Sequence, residues 1–332
     1  APKRRELPAP LLPDADVRHV EDYMDQLYEE RMELKVHGAK CVLKVCTEPP
    51  NLEAIAEHDT MLGVLSRELR ESSKKSFELC VAIGCAFLCF SYFSKFHAAM
   101  TQHQCGTVIM RVFEYESERY EVRKQDLDRR RARFQELGDA ATSDDKKVLA
   151  KDEKKHKAQL NRQSKLLMVC LSCLLNLAEE IAVEKKMVNR KMPELLAQIL
   201  DRTNEDLLLV ALEFMKKLSV FQANKEAMST PPTLARLVEL AQHQTARISL
   251  LSLRVLYNFS FDEVLRGQLV ESGILKVLVD HLKTPPFRHI VLRLLYHFSQ
   301  DDRCRSLMAY HRDGMVMLLQ LAVHFPEQRV GA

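Results

Sequence analysis

Apolar residues recur every three or four positions over most of the chain, which is the spacing of one helix face. The run from Leu166 to Glu180, Leu-Leu-Met-Val-Cys-Leu-Ser-Cys-Leu-Leu-Asn-Leu-Ala-Glu-Glu, shows this pattern, and the pattern returns. With Asn176 as marker, equivalent positions fall at Lys217 in Glu213-Phe-Met-Lys-Lys-Leu-Ser219, at Asn258 in Arg254-Val-Leu-Tyr-Asn-Phe-Ser260 and at His297 in Arg293-Leu-Leu-Tyr-His-Phe-Ser299, with steps of 41, 41 and 39 residues. A second marker runs through Lys191, Pro232, Gly273 and Gly314, each 41 residues after the last, and Leu196, Leu237, Leu278 and Leu319 stand five residues beyond. Two markers locked in phase at a period near 40 predict stacked helical repeats in which those four leucines hold equivalent buried positions.

The same pattern extends toward the start of the chain. Residues 1–15 carry Pro2, Pro8, Pro10 and Pro13 and read as an extended lead-in. Helices are predicted from Asp16, an N-cap, with Val17, Val20, Met24, Leu27 and Tyr28 on one face. A repeat-final helix, Lys40-Cys-Val-Leu-Lys-Val-Cys46, stops before Pro49-Pro50 and places Lys44 at the marker; Phe77 to Tyr92 places Cys89 there. Asn176 follows Cys89 by 87 residues, so one repeat is enlarged. The added material, 114–165, is charge-laced, with only a weak apolar stripe at Tyr120, Leu127, Phe134, Leu149 and Leu160. It predicts two long exposed helices forming a hairpin, with a mobile tip at 138–145. The expected organisation is lead-in 1–15, repeats 16–113, hairpin 114–165 and further repeats 166–332. An apolar helix around Met315 to Leu321 with no repeat-final helix behind it predicts either that a partner covers this end or, the favoured reading, that the solenoid continues past Ala332.

Composition narrows the class. Only 9 of 332 residues are glycine, and hairpin turns flanked by alternating apolar residues are absent, so the fold is expected to be all-α. Together with the period this predicts an armadillo or HEAT solenoid, a right-handed superhelix bearing the charged hairpin. A net charge of +3 over this length does not by itself point to nucleic acid, and no run has the length and apolarity of a membrane span. Nine cysteines scattered through apolar runs suit free thiols in a reducing compartment.

Cys170-Leu-Ser-Cys173 has a Cys-x-x-Cys spacing but lies within an apolar helix, so core thiols are expected there as at Cys80 and Cys85. No phosphate loop, His-Glu-x-x-His or Gly-x-Ser-x-Gly pattern is present, and neither catalysis nor a cofactor is predicted. The informative positions are the markers and the residues four before them, one turn away on the same face: Lys40/Lys44, Cys85/Cys89, Ser172/Asn176, Glu213/Lys217, Arg254/Asn258 and Arg293/His297. They are expected to line a groove for an extended or helical segment, with Lys40, Lys44, Lys217, Arg254 and Arg293 favouring acidic partners. The alternative is an ordinary solvated face. Arg129 to Arg133 and Lys154 to Lys157 suit nucleic acid or tubulin's acidic surface, but the interspersed Asp126, Asp128, Asp152 and Glu153 favour a solvated face there too.

Glu21-Asp-Tyr-Met-Asp-Gln-Leu-Tyr-Glu29, Phe90-Ser-Tyr-Phe-Ser-Lys-Phe-His97, Leu174-Leu-Asn-Leu-Ala-Glu179, Lys216-Lys-Leu-Ser-Val-Phe221, Asn258-Phe-Ser-Phe-Asp262 and Leu295-Tyr-His-Phe-Ser-Gln-Asp-Asp-Arg303 resemble the kinesin-associated protein family. The resemblance runs in order from about Val20 to Arg303 and includes the insertion. It implies a non-enzymatic armadillo subunit of a heterotrimeric kinesin. Such a subunit binds the tails of two different motor subunits and links them to cargo such as intraflagellar transport particles, in cytoplasm, on the cytoskeleton and in the cilium or flagellum. The family also has regions before this start and further repeats after it, so the chain looks like a middle part. An armadillo regulator of small GTPases, or another peptide-binding armadillo adaptor, is the alternative. An importin-alpha-like receptor would pair its asparagines with tryptophans, and this chain has none. A helical-repeat RNA reader would need base-reading triplets that the repeats lack.

Overall fold

The computed structural model describes residues 12–58, 60–138 and 142–310, with 315, 316, 319, 320 and 323 beyond them. The expectations for Pro2, Pro8, Pro10, residues 139–141 of the hairpin tip, Gly314, Met317, Leu318 and Leu321 lie outside the described residues. Those described form helices and connecting turns, with no strand among them. The chain divides into two compact units, Ala1–Arg190 and Lys191–Ala332.

In the first unit, α1 (Val20–Gln26) leads into α2 (Met32–Cys46), followed by α3 (Pro49–Glu57), α4 (Met61–Ser72) and α5 (Phe77–Ser91). Then come α6 (His97–Gln102), α7 (Cys105–Leu137), α8 (Ser143–Leu177) and α9 (Ile181–Val188). The second unit holds α10 (Met192–Ile199), α11 (Glu205–Leu218), α12 (Gln222–Met228), α13 (Pro231–Leu240), α14 (Ala246–Phe259), α15 (Glu263–Glu271), α16 (Ile274–Leu282), α17 (Arg288–Phe298) and α18 (Asp302–Tyr310). Each full repeat has a first, a second and a third helix, and the third ends at the marker. Third helices stack on one another, α2 on α5 on α8 in one unit and α11 on α14 on α17 in the other.

Local chemistry sets the boundaries. Asp16 accepts from the Arg18 N–H and opens a short 3-10 turn before α1. Pro49-Pro50, which end the preceding helix in the sequence reading, also start α3: proline at the first turn forfeits no intrahelical hydrogen bond. Ser76, Asn204 and Asp262 cap α5, α11 and α15 by accepting the N–H of Leu79, Leu207 and Leu265. Gly273 stands immediately before α16 at φ 82°, a left-handed conformation natural to glycine. Lys191 and Gln104 hold the same left-handed conformation before α10 and α7, at φ 60° and 57°. Gln104 is therefore a marker the sequence reading passed over, 87 residues before Lys191, and Ile109, five residues on, is buried like Leu196.

The core repeats with the same period. Leu196, Leu237 and Leu278 are each fully buried. Leu319 is not: it is 61 % exposed, with Met315, Val316 and Val323 exposed beside it. No described helix packs over it, which removes the apolar wall that buries its counterparts. The residue after each marker is also core: Val45, Phe90, Leu177, Leu218, Phe259 and Phe298 are all buried. Burying a side chain of this size stabilises by about 1.5–3 kcal/mol. Where α1 crosses α2, a Cβ on Gly38 would sit 2.6 Å from the Tyr23 carbonyl oxygen, so only glycine permits that approach.

Two long helices form the hairpin, but they do not begin and end at 114 and 165. α7 is the second helix of its repeat and α8 the third, each continued outward without a break. Its root is a buried polar cluster: the Gln163 side chain donates to both the backbone oxygen and the carboxylate of Glu116, at 2.7 and 2.8 Å, and Arg119 pairs with the same carboxylate. Part of the predicted tip is ordered helix, since Thr142 and Asp145 form a reciprocal capping box at the start of α8.

Candidate partner-binding site

The face predicted to line a groove is built from the last two turns of the third helices. Three of its markers are tied down. Asn176 donates to the Ser91 hydroxyl at 3.0 Å, Asn258 donates to the Ser219 hydroxyl at 2.8 Å and to the Lys216 carbonyl at 2.9 Å, and His297 Nδ1 meets the Ser260 hydroxyl at 2.8 Å. Each serine stands two residues after the marker of the preceding repeat in the chain and donates its own proton to a carbonyl three residues back, Leu88, Lys216 or Tyr257. The hydroxyl is then an acceptor, so His297 must carry a proton on Nδ1. Burial, with Arg266 nearby, holds its imidazolium form below the usual range. Both amide donors of Asn258 are thereby used within the protein.

Other predicted positions separate by environment. Ser172 is buried, as are Cys85 and Cys89, so these do not reach the surface; α5 and α8 pack closely there, and Gly84 lies against Val169. Lys40 pairs with Glu78 at 2.9 Å, which draws the Glu78 carboxyl below its usual range. Lys44 and Lys217 are half-buried. Glu213 pairs with Arg247 at 2.8 Å, so its charge is answered in place. Arg254 and Arg293 are exposed, and no hydrogen bond or ion pair engages either side chain among the described residues.

Those two arginines share a cleft of about 330 Å³ between α14 and α17. Lys216, Leu250, Tyr257, Asn258, Pro286, His289 and Ile290 complete its lining, and no carboxylate is among them. Tyr257 stacks on His297 with ring centroids 4.9 Å apart, and Phe261 meets the same imidazole edge-on at 4.3 Å. Phe261 and Tyr296 remain largely exposed. The arrangement is a cationic cleft with an aromatic border, suited to carboxylates next to apolar side chains. Lys216, Tyr257 and His289 were not anticipated from the sequence. Tyr257 and Lys216 each precede a marker by one residue, and a helix wheel brings that flank toward the next repeat.

Chemistry other than binding finds no support in the thiols. All nine cysteines are buried, and burial pushes Cys80, Cys85 and Cys105 up to about 12, far from the reactive thiolate. Among the described residues no cluster of histidine, cysteine and carboxylate has the makings of a metal site. No single described helix is long and apolar enough to cross a membrane.

Stacked three-helix repeats of this kind define an armadillo-repeat protein, and solved structures similar to it in shape agree. One is a designed armadillo repeat protein in complex with the peptide (KR)4, 11% identical, TM-score 0.57, matched over 84% of this chain and 99% of that one. Another is a computationally designed armadillo repeat protein for modular peptide recognition, 12% identical, TM-score 0.58, matched over 84% and 99%. At such identities the likeness establishes the fold. The sequence profile of the family described as kinesin-associated protein (KAP) matches residues 9–332, and the chain belongs to that family.

Proposed function

We propose that the chain is the non-enzymatic adaptor subunit of a heterotrimeric kinesin, binding tail segments of two different motor subunits and coupling them to cargo such as intraflagellar transport particles. On this reading it works in the cytoplasm, on the cytoskeleton and in the cilium or flagellum. Family membership supports the motor connection. The observation that carries the binding chemistry is the cleft holding Arg254 and Arg293, two exposed cations beside Tyr257 with no hydrogen-bond or ion-pair partner among the described residues. An acidic segment of a motor tail or cargo adaptor entering it replaces water around both guanidiniums with carboxylates, without breaking an existing ion pair. Single exposed pairs contribute about 0.2–1 kcal/mol, so useful affinity needs several together with the aromatic border.

The test is a pull-down and titration of paired motor tails and cargo adaptors on the folded Arg254→Glu/Arg293→Glu variant. Binding is expected to fall by about tenfold or more, and binding to the unaltered chain to weaken with added salt. Unchanged binding by the folded variant would remove this cleft from the interface.

A further inference from the structure

The cations of the hairpin fall into two populations. Those on the seam between α7 and α8 are neutralised: Arg130 pairs with Asp126 and Asp152, and Arg131 with Glu153 and Asp128. The acids that made the basic clusters look like a mixed solvated face are therefore spent on these two arginines. The exposed face of α8 is different, with Lys155 at its edge bordering the seam cleft that holds Asp126 and Asp152. Lys147, Lys151, Lys154, Lys155, Arg162 and Lys165 are all exposed and fall within an arc of about 100° when the helix is followed at 3.6 residues per turn. Only Lys147 has an ion-pair partner, Asp144 at 3.2 Å; among the described residues the other five have neither hydrogen bond nor ion pair. Followed inward, the same arc reaches Ser172 and the marker Asn176, so the stripe continues the marker face of the stack outward along α8.

We propose that this stripe is a docking surface for an acidic polypeptide segment. From Lys147 to Lys165 it measures about 27 Å along the helix axis, the reach of about eight extended residues or five turns of an acidic helix. Its cations follow one another at helical spacing, so carboxylates repeating every three or four residues meet them in series. Between Lys151 and Lys165 the stripe offers no aromatic ring on which a base could stack and no large apolar side chain to enter a bilayer; its centre is Ala158. It carries one arginine among lysines, whereas phosphate recognition favours the bidentate guanidinium. The surface belongs to the first unit, and the proposal stands independently of the Arg254 and Arg293 cleft.

The experiment uses the full chain carrying Arg254→Glu/Arg293→Glu, which silences that cleft, and a labelled oligo-glutamate peptide followed by fluorescence anisotropy. Peptide binding is expected to persist in this background and to weaken steeply with salt. Adding Lys151→Glu, Lys154→Glu and Arg162→Glu is expected to reduce it by about tenfold or more, and the glutamine versions by less, with helical circular dichroism unchanged. Equal binding by the reversed and unreversed chains would overturn the proposal, as would absence of peptide binding in the background chain. Tighter capture of duplex DNA or of phosphatidylserine vesicles than of the peptide would overturn the choice of partner.

Discussion

The enlarged repeat α6 to α8 and the regular repeat α12 to α14 solve the same packing problem with different lengths of chain. Both bury an apolar residue at the same place in the second helix, Ile109 in one and Leu237 in the other. Both tie the third helix to a serine of the preceding repeat, through Asn176 to Ser91 and Asn258 to Ser219. Their largest difference lies between the second and third helix, where the regular repeat has a few residues and the enlarged one two long helical extensions. The repeat is thus specified by the inner halves of its helices, and the connection between them is free to lengthen. What the longer version adds is a polar seal, Gln163 on Glu116, where the extensions leave the core.

The comparison breaks most severely at the shared core position. Ile109→Ala and Leu237→Ala are each expected to cost about 2–5 kcal/mol, measured by chemical denaturation. A much smaller loss at Ile109 would mean that the enlarged repeat does not use the common core scheme. The polar seal gives the next largest effect. Gln163→Leu leaves the buried Glu116 carboxylate short of a donor and is expected to destabilise the first unit by about 1–3 kcal/mol. Removing residues 124–157 with a short flexible bridge spares the seal and is expected to leave helical content per residue and melting temperature nearly unchanged; a large drop in either would make the outer hairpin part of the core. Cutting from 116 to 163 instead removes the seal itself and is expected to be the worse deletion.

A smaller effect separates asparagine from histidine at the marker. His297 has its proton affinity lowered by folding, so below about pH 6.5 the unfolded chain binds a proton that the folded chain resists. Stability of the second unit is therefore expected to fall as pH drops through that range, and to be insensitive to His297 above it. His297→Asn keeps a donor for Ser260, as Asn258 has for Ser219, and is expected to flatten the dependence of melting temperature on pH between 5 and 7 (about this interval). An unchanged slope would assign it to other groups. Smallest of all, Lys191→Gly relieves a left-handed lysine and is expected to stabilise by about 0.5–1 kcal/mol, whereas Lys191→Ala gains nothing; equal effects would deny the strain.

Much of this was legible because burial and helix phase are both written in residue type. The period, the marker helices and the burial of Leu196, Leu237 and Leu278 follow from apolar spacing. Leu319 did not follow, since an equivalent sequence position is buried only if a neighbour covers it. The tethering of Asn176, Asn258 and His297 was missed although its trace is present: the residue two past the preceding marker is Ser91, Ser219 or Ser260 where the next marker is an amide or imidazole, and Ala178 where it is Lys217. Side-chain hydrogen bonds between repeats depend on the pairing of two positions one repeat apart, 37, 39 or 85 residues here, and a search for single recurring residues does not reveal that. The continuity of α7 and α8 was hidden for a related reason, because a change from apolar to charged composition alters what a helix faces without ending it.

The stacking of third helices one on the next also bears on how the stack yields to a pull. In the second unit α17 is tied back to α14 through one such hydrogen bond and α14 to α11 through two, beside the apolar packing of the same helices. Force drawn along such a series is borne by every joint equally and is not shared among them, so the weakest joint parts first and the remainder stays folded. For a protein of a motor-associated family the expected consequence is stepwise yielding: under overload the chain is expected to lengthen by one repeat at a time, which single-molecule stretching would show as discrete steps.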